Sequence, residues 1–301
     1  RLTPRVKKLF ALLAPGILGA GVYQFNLLIG TNLASWLPTG AVSHLQYADR
    51  LNQLPMSVIG VAVGTALLPL LSRQMAAGDH DGVKASLSRG LEFAALFGLP
   101  ATVALMVIPA PLVHVLFKGG AFTAADASAT AAALQAFAIG IPAFIVAKIL
   151  SSAYFAKQDT KGPVRIAIVV LIGNVLVSLA LIEPLGHVGL ALAPGLTAWL
   201  NVVLLAIGLR RRGLLSFDAR LTGRLWRMGL AVIGLGLAGI GLTELLARWL
   251  FAGTAPERIG ALALVILGAS VTYFALCFLL GATRIAEIKG LLRRGKTTPP
   301  A

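Results

Sequence analysis

Charge is what this sequence has least of. Asp, Glu, Lys and Arg together supply 12% of its 301 residues, against 57% hydrophobic residues and a mean hydropathy of +0.87. A soluble domain covers itself in polar groups, and too few are present here to do so. Cysteine is reduced to Cys277, which lies inside an apolar run, so neither a disulfide framework nor a Cys-based metal site is expected. The signatures of soluble enzymes are missing as well: there is no Walker loop, no Rossmann fingerprint after a strand, no HExxH and no G-x-S-x-G. No catalytic residue, metal or bound cofactor is therefore assigned, and enzyme activity is not expected. His44, His114 and His187 are scattered without metal-ligand spacing and receive no role. Residues 1–8 are basic, but the run that follows is too long for an h-region and lacks a small-residue cleavage site, so no cleavable signal peptide is expected.

In place of these features stand long uncharged runs. No Asp, Glu, Lys or Arg occurs in 9–48, 51–72, 93–117, 127–147, 166–182, 184–209, 228–243 or 259–283. Crossing a bilayer as helix takes roughly 20 apolar residues, and most of these runs meet or approach that length. The predicted architecture is an all-α polytopic membrane protein of about eight transmembrane helices, over 9–36, 45–71, 91–109, 130–154, 164–182, 188–209, 228–250 and 259–281. Turn signals fall between them, among them Pro38-Thr39-Gly40, Lys118-Gly119-Gly120, Glu183-Pro184 and Gly253-Thr254.

The net charge of +15 raises nucleic acid as a partner, but the placement of the charge argues against it. With eight spans, one face of the membrane collects twenty-one of the 26 basic residues, including Arg1, Lys7, Lys84, Arg89, Lys161, Arg165, Arg210, Arg211, Arg212, Arg220 and Arg227. The other face holds Lys118, Arg248 and Arg258, while Arg50 and Lys148 fall inside spans. By the positive-inside rule the basic face is cytoplasmic, and both chain ends lie there. Gly and Pro are dense inside the first two spans, at Pro15, Gly16, Gly19, Gly21, Pro55, Gly60, Gly64 and Pro69. Small residues let helices approach, as along Gly60-x-x-x-Gly64, and prolines kink them, as in transporters that rock between states.

Arg50, in Tyr47-Ala48-Asp49-Arg50-Leu51, is the sharpest single feature. Forty uncharged residues precede the Asp49–Arg50 pair and twenty-two follow it. An Arg near mid-bilayer costs about 2.5–3.5 kcal/mol, so it faces a cavity or a partner. Three readings are open: a cavity-lining group suited to gripping a phosphate or diphosphate, an ion pair with Asp49, or a side chain snorkelling to the interface. Neighbouring helical residues point about 100° apart, which disfavours the pair with Asp49. Lys148 either lines the same cavity or snorkels. Asn174 and Ser178, one turn apart, either coordinate a cation or hydrogen-bond between helices. Glu244 and Arg248 have the spacing of an i, i+4 ion pair.

Several stretches resemble the C-terminal portion of the MurJ (MviN) lipid II flippases of the MOP exporter superfamily. They are Leu13-Ala14-Pro15-Gly16-Ile17-Leu18-Gly19, Tyr47-Ala48-Asp49-Arg50-Leu51 through Leu54-Pro55, Gly60 to Pro69, Phe117-Lys118 with Gly120-Ala121-Phe122-Thr123, and Tyr154 to Val164 with its Gln158-Asp159-Thr160-Lys161-Gly162-Pro163. The likeness is best over 5–212. The family implies fourteen helices, two six-helix lobes around a central cavity plus a final pair forming a lipid groove. Eight spans then correspond to a second lobe over 1–212 and a terminal pair over 213–283, followed by a basic cytoplasmic tail over 284–301. The resemblance implies a first lobe upstream of Arg1. It also implies a bacterial inner-membrane flippase that carries lipid II, the undecaprenyl-diphosphate-linked peptidoglycan precursor of cell-wall synthesis, by alternating access. The family's cavity arginine of this lobe maps onto Arg50, and the expected substrate-binding set is Arg50, Asp49 and Lys148. Some members bind sodium through acids in the spans matching 9–36 and 164–182. Here Gly30 or Thr31 and Ser178 stand nearest those positions, with Asn174 retained. Coupling to membrane potential or to a monovalent cation is left open, with Asn174 and Ser178 as the candidate ion site. The rival readings are another MOP exporter, for O-antigen lipids or drugs, and a non-transporting membrane scaffold of cell-wall assembly. Membrane lipids and lipid II are the expected partners, and nucleic acid is not.

Overall fold

A computed structural model describes residues 24–216 and 219–282, without the side chains of 61–64 and 219. Most of the first expected span, the Leu13–Gly19 stretch with Pro15, Gly16, Gly19 and Gly21, the side of α2 at Gly64, and the basic tail lie outside the described residues. Among the described residues the regular structure is helical: α1 (24–34), α2 (Ala41–Ala76), α3 (His80–Val107), α4 (Pro109–Phe117), α5 (Ala124–Ala138), α6 (Ile141–Ala156), α7 (Lys161–Arg211), α8 (Ala219–Leu245), α9 (Ala247–Phe251) and α10 (Ala255–Leu279).

Five helical stretches are long and apolar enough to cross a membrane: 80–107, 124–156, 161–211, 220–245 and 255–279. α2 is a sixth, if its halves Ala41–Gly60 and Thr65–Ala76, set at 41°, count as one. The 51 residues of α7 would extend about 75 Å as a straight rod, more than twice a hydrocarbon core of about 30 Å. Gly186 resolves the excess. Its φ of 56° and ψ of −130° reverse the chain, and Asn174 on the first arm meets Thr197 on the second, 3.3 Å from Oγ1 to Oδ1. A side chain at Gly186 would force that backbone into a region L-residues avoid. Counting the two arms separately gives seven crossings among the described residues, and α1 is the end of the expected first span.

Helix starts follow local chemistry. Thr123 and Asp126 form a reciprocal capping box on α5, as do Thr254 and Glu257 on α10, while the Asp79 side chain accepts from the Gly82 N–H at the head of α3. That cap explains why α3 begins at His80, well before the span expected from 91: a count of uncharged residues registers only the stretch suited to lipid, not the helix that projects beyond it. Similarly, the expected 228–250 span divides into α8 and the short α9. The break at Leu246 separates Glu244 from Arg248, and no ion pair joins them.

The chain forms two compact units, one ending at Ser216 and the other starting at Phe217. In the first, α2 packs against α3, α5 and α6, and α7 packs against α5 and α6. Leu71, Leu87, Leu134, Ile141, Ile149, Leu150 and Tyr154 are fully buried within it. At one end of this unit a clasp closes the α7 hairpin. Arg212 Nη2 lies 2.7 Å from Asp159 Oδ2 and its guanidinium sits over the Tyr154 ring at 4.9 Å, while the Tyr154 hydroxyl donates to Leu205 O at 3.0 Å. Burial pushes the Asp159 carboxyl up, but the bonds from the Gly162 N–H and from Arg212 outweigh it and hold the carboxyl below its ordinary value of 3.8. In the second unit α8 packs on α10. The buried residues of α10 include Ala261, Val265, Ala269, Tyr273 and Cys277, every fourth position, which is one ridge of a helix surface.

Candidate functional site

α2 carries the residues that do not belong in lipid. Gln46, Arg50, Gln53 and Ser57 are all exposed and recur at spacings of three and four, which places them on one helical face. Asp49 lies beside them and accepts a hydrogen bond from Gln53 Nε2, while Ser57 Oγ donates to Leu54 O at 2.9 Å. Asp49 is thus engaged by the residue one turn onward, and no ion pair joins it to Arg50. The Arg50 guanidinium makes no hydrogen bond or ion pair among the described residues, and the stripe around it is open. Gln46, Gln53 and Ser57 were not singled out from the sequence. Their periodicity was available there, but uncharged amides and hydroxyls are invisible to a scan for charge.

Gly60, three positions beyond Ser57, is buried. Lys148, on the exposed face of α6, lays its side chain across it: a Cβ built at Gly60 would fall 2.8 Å from Lys148 Nζ. Lys148 thus packs against α2 at Gly60, which by itself chooses neither the cavity-lining nor the snorkelling reading. Ten residues of helix separate Arg50 from Gly60, about 15 Å, which is further than one diphosphate bridges. The two cations are therefore too far apart to grip one diphosphate together.

Asn174 and Ser178 lie elsewhere, buried inside the hairpin. Asn174 Nδ2 donates to Asn26 Oδ1 of α1 at 2.6 Å, and Thr197 Oγ1 donates to Asn174 Oδ1 at 3.3 Å. The residue of α1 that meets Asn174 is Asn26, not Gly30 or Thr31, whose hydroxyl is turned to Leu27 O. Every contacting group here is neutral, and among the described residues no group of three His, Cys, Asp or Glu is placed to hold a metal ion. The amides and hydroxyl tie three helical segments together.

A further cluster escaped the sequence because its members are far apart in the chain. His44 Nε2 and Asp126 Oδ1 are 2.9 Å apart, the His44 and His187 rings meet edge-on at 5.9 Å, and His187 Nε2 lies 3.1 Å from Ala129 O. These contacts knit α2, α5 and the tip of α7. Beside them Tyr47 packs on Phe117 at 4.9 Å and on Phe122 at 5.6 Å.

The family model described as "Lipid II flippase MurJ" matches residues 1–259. The chain belongs to the MurJ family. The probable lipid II flippase MurJ of Rhizobium tropici is 37% identical over 303 residues, covering 99% of this chain and 56% of the relative. A solved lipid II flippase MurJ in an inward closed conformation superposes with a TM-score of 0.71 at 22% identity, over 93% of this chain and 57% of that one. A eukaryotic MATE transporter superposes at 0.62 with 18% identity, over 90% of this chain and 59% of the other. At such identities the structures show a shared fold: this chain has the architecture of a MurJ or MATE transporter lobe with a terminal helix pair, and it is a multi-pass membrane protein. It spans a little over half the length of the MurJ relative and of the MurJ structure.

Proposed function

We propose that this chain is the C-terminal part of a lipid II flippase of the bacterial inner membrane, a transporter rather than an enzyme. In this reading its α2 stripe forms one wall of the translocation cavity and a first lobe supplies the other. The observation that carries it is Arg50: a permanently charged group, exposed and unpaired on a polar face of a membrane helix, inside a chain of this family. Lipid would charge about 2.5–3.5 kcal/mol for such a group, and an aqueous cavity relieves that cost. A guanidinium grips phosphate oxygens bidentately, so Arg50 holds the diphosphate of the lipid-linked substrate. Lys148, beside Gly60 further along α2, is a second station for the same anion as the headgroup moves, and Asp49, held by Gln53, keeps the stripe from being uniformly positive. The loops rich in Lys and Arg, and with them both chain ends, face the cytoplasm.

The Asn26–Asn174–Thr197 cluster brings no carboxylate to the position of the candidate ion site, and membrane potential is the coupling we put to the test. Each negative charge moved outward is driven by an inside-negative potential and gains about 2.3 kcal/mol per 100 mV. Replacing sodium with choline then leaves flipping unchanged, whereas collapsing the potential with valinomycin and potassium stops it. A rate that falls with sodium removal alone refutes this coupling. The test of the main reading is delivery of lipid II to the outer leaflet by full-length protein. Arg50→Ala lowers it by about tenfold or more, the size of a lost charge-assisted contact, and Arg50→Lys keeps part of it. Undiminished delivery by Arg50→Ala removes Arg50 from the mechanism.

A further inference from the structure

Tyr47 stands one helical turn before Arg50. Its ring is fixed from two sides, tilted 44° against Phe117 and edge-on at 86° against Phe122, and those two rings pack on each other at 6.3 Å. Even so, Tyr47 is 41% exposed, and its hydroxyl makes no hydrogen bond among the described residues. The loop that brings Phe122 to it is a tight turn, with Gly120 at φ 56° and a bridge from Gly119 to Phe122. The exposed amide of Gln46 adjoins it on the polar stripe. The site is thus an aromatic platform held in place before any ligand arrives, with polar groups at its rim. That is the composition of a pocket that takes an amphipathic ring.

We propose that Tyr47, braced by Phe117 and Phe122, is the stacking platform for the sugar ring bonded to the diphosphate of the lipid-linked substrate. The inference rests on Arg50 holding that diphosphate, and distance then selects the occupant. Side chains three or four positions apart on a helix have Cβ atoms about 5–6 Å apart, so a group covalently joined to a phosphate at Arg50 reaches Tyr47, Gln46, Gln53 and Leu54, of which only Tyr47 offers an aromatic face. In a lipid-linked saccharide one side of the diphosphate carries the isoprenoid and the other carries a pyranose. A pyranose presents an apolar C–H face to an aromatic ring while its hydroxyls and acetamido group turn outward to partners such as Gln46 and the Tyr47 hydroxyl. The rigid bracing lowers the ordering cost of stacking, so the platform reads the presence of a sugar while Arg50 reads the charge.

The test compares two probes on purified full-length protein: farnesyl diphosphate, and farnesyl diphosphate carrying one N-acetylhexosamine. Each protein is scored by its preference for the sugar-bearing probe. Tyr47→Leu lowers that preference roughly three- to tenfold with affinity for farnesyl diphosphate retained, and Tyr47→Phe keeps it within about twofold. Arg50→Ala weakens both probes alike. If it weakens neither, the diphosphate reading has failed, and the preference measured in Tyr47→Leu still judges the platform separately. A preference unchanged in Tyr47→Leu, or an equal loss for both probes, overturns the proposal and leaves Tyr47 as an interfacial aromatic anchor. Should Tyr47→Leu not fold, deuterated wild-type protein protonated only at tyrosine decides. Magnetisation passes from tyrosine to the sugar C–H protons and disappears in Tyr47→Phe; no transfer in the wild type overturns the proposal.

Discussion

The helices α2 and α10 are both built to cross a bilayer, yet the faces they leave uncovered differ. α10 exposes Ile259, Leu264, Leu267, Val271, Phe278 and Leu279, and carries no charge after Arg258. α2 exposes Gln46, Arg50, Gln53 and Ser57 beside Leu54 and Val58. One solvent cannot suit both: hydrocarbon accepts the first face and penalises the second. In the reading proposed above, exposure on α10 means contact with lipid and exposure on α2 means contact with a water-filled path, and side-chain polarity tells them apart.

The largest effect is expected from placing a charge on each face. Leu267→Lys costs about 2.5–3.5 kcal/mol of insertion free energy, whereas Ser57→Lys, on a face already bearing Arg50, inserts and folds like the wild type. Equal yields of the two variants in membranes dissolve the contrast. A weaker perturbation sharpens it: single cysteines at 53 and 57 react with a membrane-impermeant maleimide, and cysteines at 264 and 267 do not. Next in size, Gly186→Ala strains the reversal between the arms of α7 by about 1–3 kcal/mol, read as a lower melting temperature in detergent. The smallest effect is that of the Asp159 carboxyl. Its pKa in the folded state is depressed, so its contribution is present above the ordinary value of 3.8 and fades as pH falls through the folded value. Wild-type protein therefore loses its stability advantage over Asp159→Asn on acidification below about pH 4, and an advantage that grows with acidity contradicts the assignment.

Much of the architecture was legible in the sequence because lipid imposes a coarse rule. A span has to be long and uncharged, and α3, the α5–α6 pair, α8 and α10 all announce themselves that way. The two arms of α7 were separable because Glu183-Pro184 interrupts the apolar run close to Gly186. Arg50 and Lys148 stood out for the same reason the spans did: charge within an uncharged run is conspicuous. What stayed hidden depends on three-dimensional proximity. Asn26 meets Asn174 across 148 positions and His44 meets Asp126 across 82, and no local pattern encodes either pairing. Gln53 and Ser57 were overlooked for a different reason, since their significance lies in sharing a face with Arg50 rather than in their own chemistry.

The clasp of Arg212 on Asp159 and Tyr154 fixes both feet of the α7 hairpin at one point, with Gly186 at the far tip. A hairpin held at both feet resists splaying. The Asn26–Asn174 junction holds it midway, and at the tip His187 abuts His44, on the same helix as Tyr47 and Arg50. The hairpin is thus tied to its neighbours at its feet, along its length and at its tip.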